Sequence, residues 1–309
     1  MFRQKGHKPR MVEIKRIVRS MRGGSQARLI EGDDGRCYIA KFLNNPQGKR
    51  TLVNEWVAQS ILTTLGISTP PLCLLRLPDS LLDDRLYFDI GNKRVPVQGE
   101  WHLGSLCPVN PETNAIFDFL PERLLRNTIN LDDFARIFVA DQWLHQTDKR
   151  QAIFVREHAP GASPLRMRAY FVDHGMAFDG AFWDLREASG HGWYMNRKVY
   201  EFIDMAKICS ETVSQIESLS EREILSSITT LPESWLSPDD SDVLHRLLMK
   251  LHKNRLQLRR VITGHVAPLG IPTSLPRNSH TYNNGLGVIR KEMGSAQYHA
   301  RVGDVRYGS

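Results

Sequence analysis

The side-chain pattern of this chain changes once along its length, and that change limits the fold more than any other feature. Up to about residue 120, short apolar stretches alternate with Gly, Pro and Asn and are interrupted by one helical segment. Beyond that point the apolar residues recur mostly at helical spacing. Strands collected first and helices collected later predict an α+β protein whose two parts are segregated along the chain. At 309 residues there is ample length for one large domain or for two lobes.

Within the first part, Ile14, Ile17 and Val18 lie in an extended basic stretch that ends at Arg22-Gly23-Gly24-Ser25. Segments 28–31 and 37–43 flank Gly32-Asp33-Asp34-Gly35, a hairpin turn built from residues that tolerate positive φ. On the second of these strands Tyr38, Ala40 and Phe42 share one face, and Ile39, Lys41 and Leu43 the other. Residues 49–65 place Leu52, Val53, Trp56, Val57, Ile61 and Leu65 close to a helical stripe, with Gly66 as its C-terminal cap. Residues 115–120 read as a strand, and Asn130 as the N-cap of a helix running to His145. Segments 153–155 and 166–172 read as a second hairpin. Helices are expected over 197–218, 221–230 and 239–263, the second opened by the capping box Ser220-Glu221-Arg222-Glu223. From about residue 265 the periodicity is lost in favour of Gly, Pro, Asn and Ser, which predicts a flexible tail.

The formal charge is +7, and it is uneven: residues 1–22 carry eight Lys or Arg against the one acid Glu13, while 23–264 are mildly acidic. A basic arm can touch phosphates without reading sequence, but it also reads as a solvated tail, and direct nucleic-acid binding is not expected. Cys37, Cys73, Cys107 and Cys209 form no CxxC pair, and the eleven His do not complete a zinc spacing with them. Four buried, reduced thiols, no signal-peptide core and no apolar run of spanning length predict a cytoplasmic protein without a membrane span.

Four features follow in order: the Gly23-Gly24-Ser25 turn between two strands, Lys41 on the strand after them, Glu55 on the next helix, and far downstream Asp148 and Asp173-His174-Gly175. Each has a physical task if the ligand is a nucleoside triphosphate with Mg²⁺. Backbone N–H groups of a Gly-rich turn close on phosphates because no Cβ intervenes. Lys41 brings a positive charge to those phosphates, and Glu55 fixes an ammonium that otherwise swings on a four-carbon stem. Asp173 is a hard oxygen donor suited to Mg²⁺, and Asp148, at the mouth of a loop, can orient or deprotonate a hydroxyl. Taken singly, Lys41 also reads as an exposed strand lysine, Glu55 as a helix-surface charge, the glycines as a plain turn and Asp148 as a helix-end cap.

The run Trp143-Leu-His-Gln-Thr-Asp148-Lys-Arg-Gln-Ala, followed by Phe171-Val-Asp173-His-Gly175, resembles the HipA-like kinases. So do Arg22-Gly-Gly-Ser25, Ala40-Lys41-Phe42 and Val53-Asn54-Glu55-Trp56. The resemblance spans roughly residues 12–265. It implies a two-lobed, protein-kinase-like fold in which ATP and Mg²⁺ bind between a β-rich N-lobe (12–120) and a helical C-lobe (121–265). A basic arm (1–11) would precede these lobes and a flexible tail (266–309) would follow them. It further implies phosphoryl transfer to a protein Ser/Thr or another hydroxyl, with an antitoxin or other protein partner left open. By that resemblance Asp148 matches the catalytic-loop aspartate, Asp173 the metal-binding one, Lys41 the phosphate-pairing lysine and Glu55 its helix partner. The adenine would rest on the connector at 117–120, chiefly Phe119. One departure matters: Ile153 stands where kinases carry a metal-binding asparagine, and Gln151 is the nearest amide that could replace it. A nucleotide-binding pseudokinase or regulatory module is the alternative. Asp141 is open between a buried anchor for the catalytic loop and a helix-surface acid.

Overall fold

The computed structural model describes residues 9–82, 86–157, 165–185 and 192–266. The chain opens with β1 (Met11–Ser20), β2 (Arg28–Gly32) and β3 (Cys37–Lys41), continues through α1 (Lys49–Thr64) to β4 (Leu72–Arg76), and adds a small hairpin of β5 (Tyr87–Ile90) and β6 (Lys93–Pro96) before β7 (Trp101–Leu106). β1, β2, β3, β7 and β4 close into a barrel in that spatial order; β1 and β4 meet in parallel and every other neighbour is antiparallel. The pairing of Arg28 with Ala40 and of Glu31 with Cys37 sets the first hairpin, and Gly35 turns it with φ of 72°. The same register pairs Lys41 with Leu103 at the barrel's edge.

The alternation read along 38–43 has its consequence here. Tyr38, Ala40 and Phe42 join Val12, Ile14, Ile30, Leu75 and Phe88 in the barrel core, whereas Leu43 belongs to a second, larger core. That core is built around α1 and α3 (Asp133–Trp143) and gathers Phe134, Phe138, Phe154 and Phe171. Truncating a ring as enclosed as Phe134 would cost about 3–5 kcal/mol. α1 is more deeply buried than a one-sided stripe implies: Thr51 through Gln59 are all buried, Asn54 and Glu55 included. It begins after Gly48 (φ 86°) and ends in a Schellman-type cap, with the N–H of Gly66 on Thr63 O and the N–H of Ile67 on Leu62 O.

After β7 come β8 (Ile116–Phe117), α2 (Glu122–Leu125), α3, and the pair β9 (Gln151–Glu157) and β10 (Arg166–Val172), which with β8 form a three-stranded sheet. The rest is helical: α4 (Met205–Glu217), α5 (Glu221–Leu225), α6 (Pro238–Asn254) and α7 (Leu258–Val266). The expected order, β-rich then helical, therefore holds. No described helix is long and apolar enough to cross a membrane.

Several local expectations are corrected. The strand expected over 115–120 shrinks to the two residues of β8. Asn130 does not cap α3: its amide bonds Ala169 N–H and O on β10 and the Asp133 carboxylate instead, so the helix begins later and ends at Trp143 rather than His145, which has φ of 51°. The helix expected over 197–218 splits into a 3-10 turn (Arg197–Phe202) and α4, because the Asp204 side chain accepts the Lys207 N–H and starts a new helix. The segment 239–263 likewise divides into α6 and α7. The capping box at Ser220 and Glu223 forms as expected, but α5 stops at Leu225. Of the four thiols, Cys107 is only half-buried and the other three are buried. Residues 1–8 of the basic arm, the 158–164 loop and the tail beyond Val266 lie outside the described residues.

Candidate active site

Lys41 ends β3, Glu55 sits in the middle of α1, and Asp173 follows β10 with φ of 62°, a left-handed conformation uncommon for a residue with a Cβ. These three elements bring their side chains to one ammonium. Lys41 Nζ donates to Glu55 Oε2 at 2.9 Å and to Asp173 Oδ1 at 2.8 Å. The Lys41 side chain is 16% exposed and that of Glu55 6%, while Asp173 at 39% faces outward. Burial works against the charge on Lys41, but Glu55 and Asp173 more than offset it and hold its pKa above the ordinary lysine value. Burial likewise pushes the Asp173 carboxyl up; the charge and hydrogen bond of Lys41, followed by Arg150 and Gln151, overcome this and leave it below the usual aspartate value.

Gln151, the first residue of β9, completes the group by donating its Nε2 to Asp173 Oδ2 at 2.9 Å. Both Asp173 oxygens are thus held by donors. Asp148 lies on a segment whose residues are bonded to Asp173 and the chain after it. Phe178 N–H donates to Leu144 O at 2.7 Å, Thr147 N–H to Met176 O at 3.1 Å, and Gln146 Nε2 to Asp173 O at 3.3 Å. The Asp148 side chain is exposed and accepts the Lys149 N–H at 2.7 Å. Ile153 lies in β9 opposite Tyr170 and presents no donor or acceptor in its side chain.

The remaining sequence candidates do not join this group by hydrogen bonds among the described residues. Gly23 (φ 122°), Gly24 and Ser25 form the turn between β1 and β2, where a Cβ on Gly24 would come within 3.1 Å of Gln47 Nε2. Phe119 is 50% exposed on the connector, next to the half-open Phe117 of β8. Among the aromatic residues after Asp173, Trp183, Tyr194 and Tyr200 are buried and Trp193 stacks on Phe138 at 3.9 Å, while Phe182 is exposed.

Residues to which the sequence reading assigned no part hold these loops in place. Arg150 is buried and forks onto Asp141, Nε to Oδ2 at 2.8 Å and Nη2 to Oδ1 at 2.5 Å. Its Nη1 reaches Val172 O at 2.9 Å and His174 Nδ1 at 3.0 Å. This resolves the question of Asp141, which is the buried anchor. Guanidinium only donates, so His174 Nδ1 accepts and the ring is neutral; burial, Arg150 and Lys41 all depress its pKa. Asn54, the neighbour of Glu55, has no exposed surface and bonds three carbonyls of the segment after Asp173. A charged pair at positions 141 and 150 and an amide inside an apolar helix were the available signals.

No curated protein matches the chain. Among solved structures it is similar to a proinflammatory kinase of Helicobacter pylori, CtkA, with a TM-score of 0.48 and 14% identity over 80% of this chain and 99% of that one. It is also similar to the Golgi casein kinase, with a TM-score of 0.42 and 12% identity over 82% of this chain and 74% of that one. The same kinase with Mn/ADP bound gives 0.43 and 12%, over 81% and 73%. The model of the HipA-like kinase family matches residues 12–265, which takes in the barrel, the ion-paired lysine, both aspartate loops and nearly all of the helical part. With that extent matched, the chain belongs to the HipA-like kinase family.

Proposed function

We propose that this chain transfers the terminal phosphoryl group of ATP, with Mg²⁺, to a hydroxyl of a protein Ser or Thr. The observation that carries the reading is the Lys41 ammonium fixed between Glu55 and Asp173 at 2.9 and 2.8 Å. A lysine tethered in this way presents its charge at one point, which is what a polyphosphate needs and what a solvated surface lysine does not provide. Gly23, Gly24 and Ser25 offer backbone N–H groups to the phosphates, and Phe119 offers a ring face to the base. Asp148 orients the acceptor hydroxyl and takes its proton.

The donor set also fits the metal. Among the described residues no three His, Cys, Asp or Glu side chains converge. The site offers the Asp173 carboxylate and the Gln151 amide, and such a sparse oxygen set suits an ion that keeps waters and phosphate oxygens in its shell. The Gln151 amide would turn to present its oxygen, giving up its hydrogen bond to Asp173 Oδ2 for the ion. When bound, Mg²⁺ neutralises charge on the transferring phosphoryl group.

Ile153 favours a second reading, in which nucleotide binds and transfer is lost. A thermal-shift titration with ATP and Mg²⁺ on wild type and Asp173→Asn, followed by transfer of labelled phosphate to Ser/Thr peptides, tests both. A site filled to 100 times its Kd adds about 2.7 kcal/mol, a shift of several degrees. The shift should vanish in Asp173→Asn. No shift in wild type at millimolar nucleotide overturns the proposal, and a shift without transfer on any peptide supports the second reading.

A further inference from the structure

We infer that Asn54 is a positioning residue that fastens the segment after Asp173 to α1, holding Lys41, Glu55 and Asp173 together without any modification of that segment. The inference rests on the kinase reading of the site and adds to it how the site is held. Asn54 Nδ2 donates to Gly175 O at 2.9 Å, to Ala177 O at 2.9 Å and to Gly180 O at 2.8 Å, two N–H groups shared by three carbonyls. Its Oδ1 accepts the Trp183 Nε1–H at 2.6 Å. The amide orientation follows from the partners, because carbonyls only accept and the indole only donates.

The segment needs such a clamp. Phe178, Asp179 and Trp183 all have φ between 55° and 61°, a left-handed conformation that residues with a Cβ adopt only when their surroundings impose it. Gly175 lies against α1, where a Cβ would make ordinary contact at 3.4 Å with Thr51 O and 3.5 Å with Glu55 Oε2. One turn earlier on α1, Arg50 adds a second grip. It donates to Ala181 O at 2.7 Å, lies over the Trp183 ring at 4.4 Å, and is itself held by Asp240 of α6. Glu55 meanwhile accepts the His174 N–H at 3.0 Å on the same oxygen that holds Lys41. Adjacent residues of one helix therefore grip the chain on both sides of Gly175.

Phosphorylation orders a loop by giving arginine a new anionic partner. Residues 174–185 contain no Ser, Thr or Tyr, so the described segment has no hydroxyl to modify. Its order comes from the backbone carbonyls that Asn54 and Arg50 bind.

The test is amide hydrogen exchange on the full, unmodified chain without nucleotide, together with ADP affinity measured with and without Mn²⁺. In wild type the amides of 174–183 should be protected. Asn54→Ala should speed their exchange roughly tenfold while β1 to β3 keep theirs, since it strands three buried carbonyls. The Mn²⁺-dependent gain in ADP affinity should fall about tenfold, while metal-free ADP affinity stays within about twofold. Unchanged protection, or an unchanged Mn²⁺-dependent gain, overturns the inference. If Asn54→Ala does not fold, Trp183→Phe, which removes one donor and keeps the ring, should give a smaller rise of about threefold confined to 174–183; no local rise overturns it equally. A wild type without any Mn²⁺-dependent ADP binding would instead overturn the kinase reading, and the nucleotide-free exchange would still decide the clamp.

Discussion

The segments that carry the two aspartates are built on different terms. Around Asp173 nearly everything is held: its carboxylate by Lys41 and Gln151, its carbonyl by Gln146, the next N–H by Glu55, and the carbonyls beyond by Asn54. Around Asp148 the neighbours Leu144, Gln146, Thr147 and Arg150 are held, but the carboxylate itself stands exposed with the Lys149 N–H. A group that must face a charge already in place gains from being fixed beforehand. A group that must meet a hydroxyl arriving with another molecule gains from a fixed base and a free tip. On the proposed function, this contrast suits Asp173 to the nucleotide and metal and Asp148 to the acceptor hydroxyl.

The largest expected effect tests that division directly. Asp148→Ala should lower phosphoryl transfer by about 10²–10⁴-fold and leave Mn²⁺-dependent ADP affinity within about twofold. Asp173→Asn should remove both. Equal loss of nucleotide affinity in the two variants, measured by calorimetry, would erase the contrast.

Next comes the part the two segments share. Arg150 stands two residues after Asp148 and bonds the carbonyl just before Asp173, so it ties one segment to the other while neutralising Asp141. Both side chains of the pair are 1% exposed. Arg150→Met leaves a buried carboxylate without its partner and should cost about 3–5 kcal/mol in urea unfolding. Replacing Asp141 by Leu as well should recover most of that stability and none of the transfer activity.

How much of this was legible beforehand depends on what each contact is made of. That Lys41 would meet Glu55 was legible from the order of motifs that resembles the HipA-like kinases, whereas the second bond of Lys41, to Asp173, was not. Gln151 was legible as the nearest amide to a missing asparagine. Asn54 and Arg150 were present in the quoted motifs, but their partners are carbonyls of distant turns, and no periodicity announces a carbonyl. Asn130 misled for the same reason: an N-cap sequence looks identical whether its amide meets its own helix or, as here, the backbone of β10. The segments 197–218 and 239–263 keep helical spacing across their breaks, so the 3-10 turns inside them were not visible.

Acid should act on the barrel that carries Lys41 as well as on His174 beside Asp173, whose buried neutral ring also resists protonation. His102 is fully enclosed, accepts the Leu43 N–H at 3.1 Å two residues beyond Lys41, and has its pKa pushed down by burial to about 4. The folded chain keeps this ring neutral while the unfolded chain protonates it near the ordinary value of about 6.5. Its stabilising contribution is therefore complete above that pH and shrinks as pH falls toward 4. Between pH 7 and pH 5 it should cost about 2 kcal/mol in urea unfolding. In His102→Leu that part of the pH dependence should disappear, although the variant starts less stable because the Leu43 N–H has lost its acceptor.

The smallest effect bears on the one place where the resident side of the contrast is thin. Gln151 and Ile153 lie two apart on β9 and so share a face, and only the first carries a polar group. If Gln151 has taken over as the amide ligand, Gln151→Leu should weaken Mn²⁺-dependent ADP binding by about tenfold or somewhat less, the usual scale for supporting groups at a metal site. Metal-free ADP binding should not change. Ile153→Asn then asks whether the position is merely unused: restoring affinity in the Gln151→Leu background would show that the two amides are interchangeable across that face. No effect of Gln151→Leu would make its bond to Asp173 Oδ2 a local hydrogen bond with no part in metal binding. Asp173 would then hold the metal as the chain's only ligand on that face, and the firm grip of Lys41 and Asn54 on its surroundings would have to compensate.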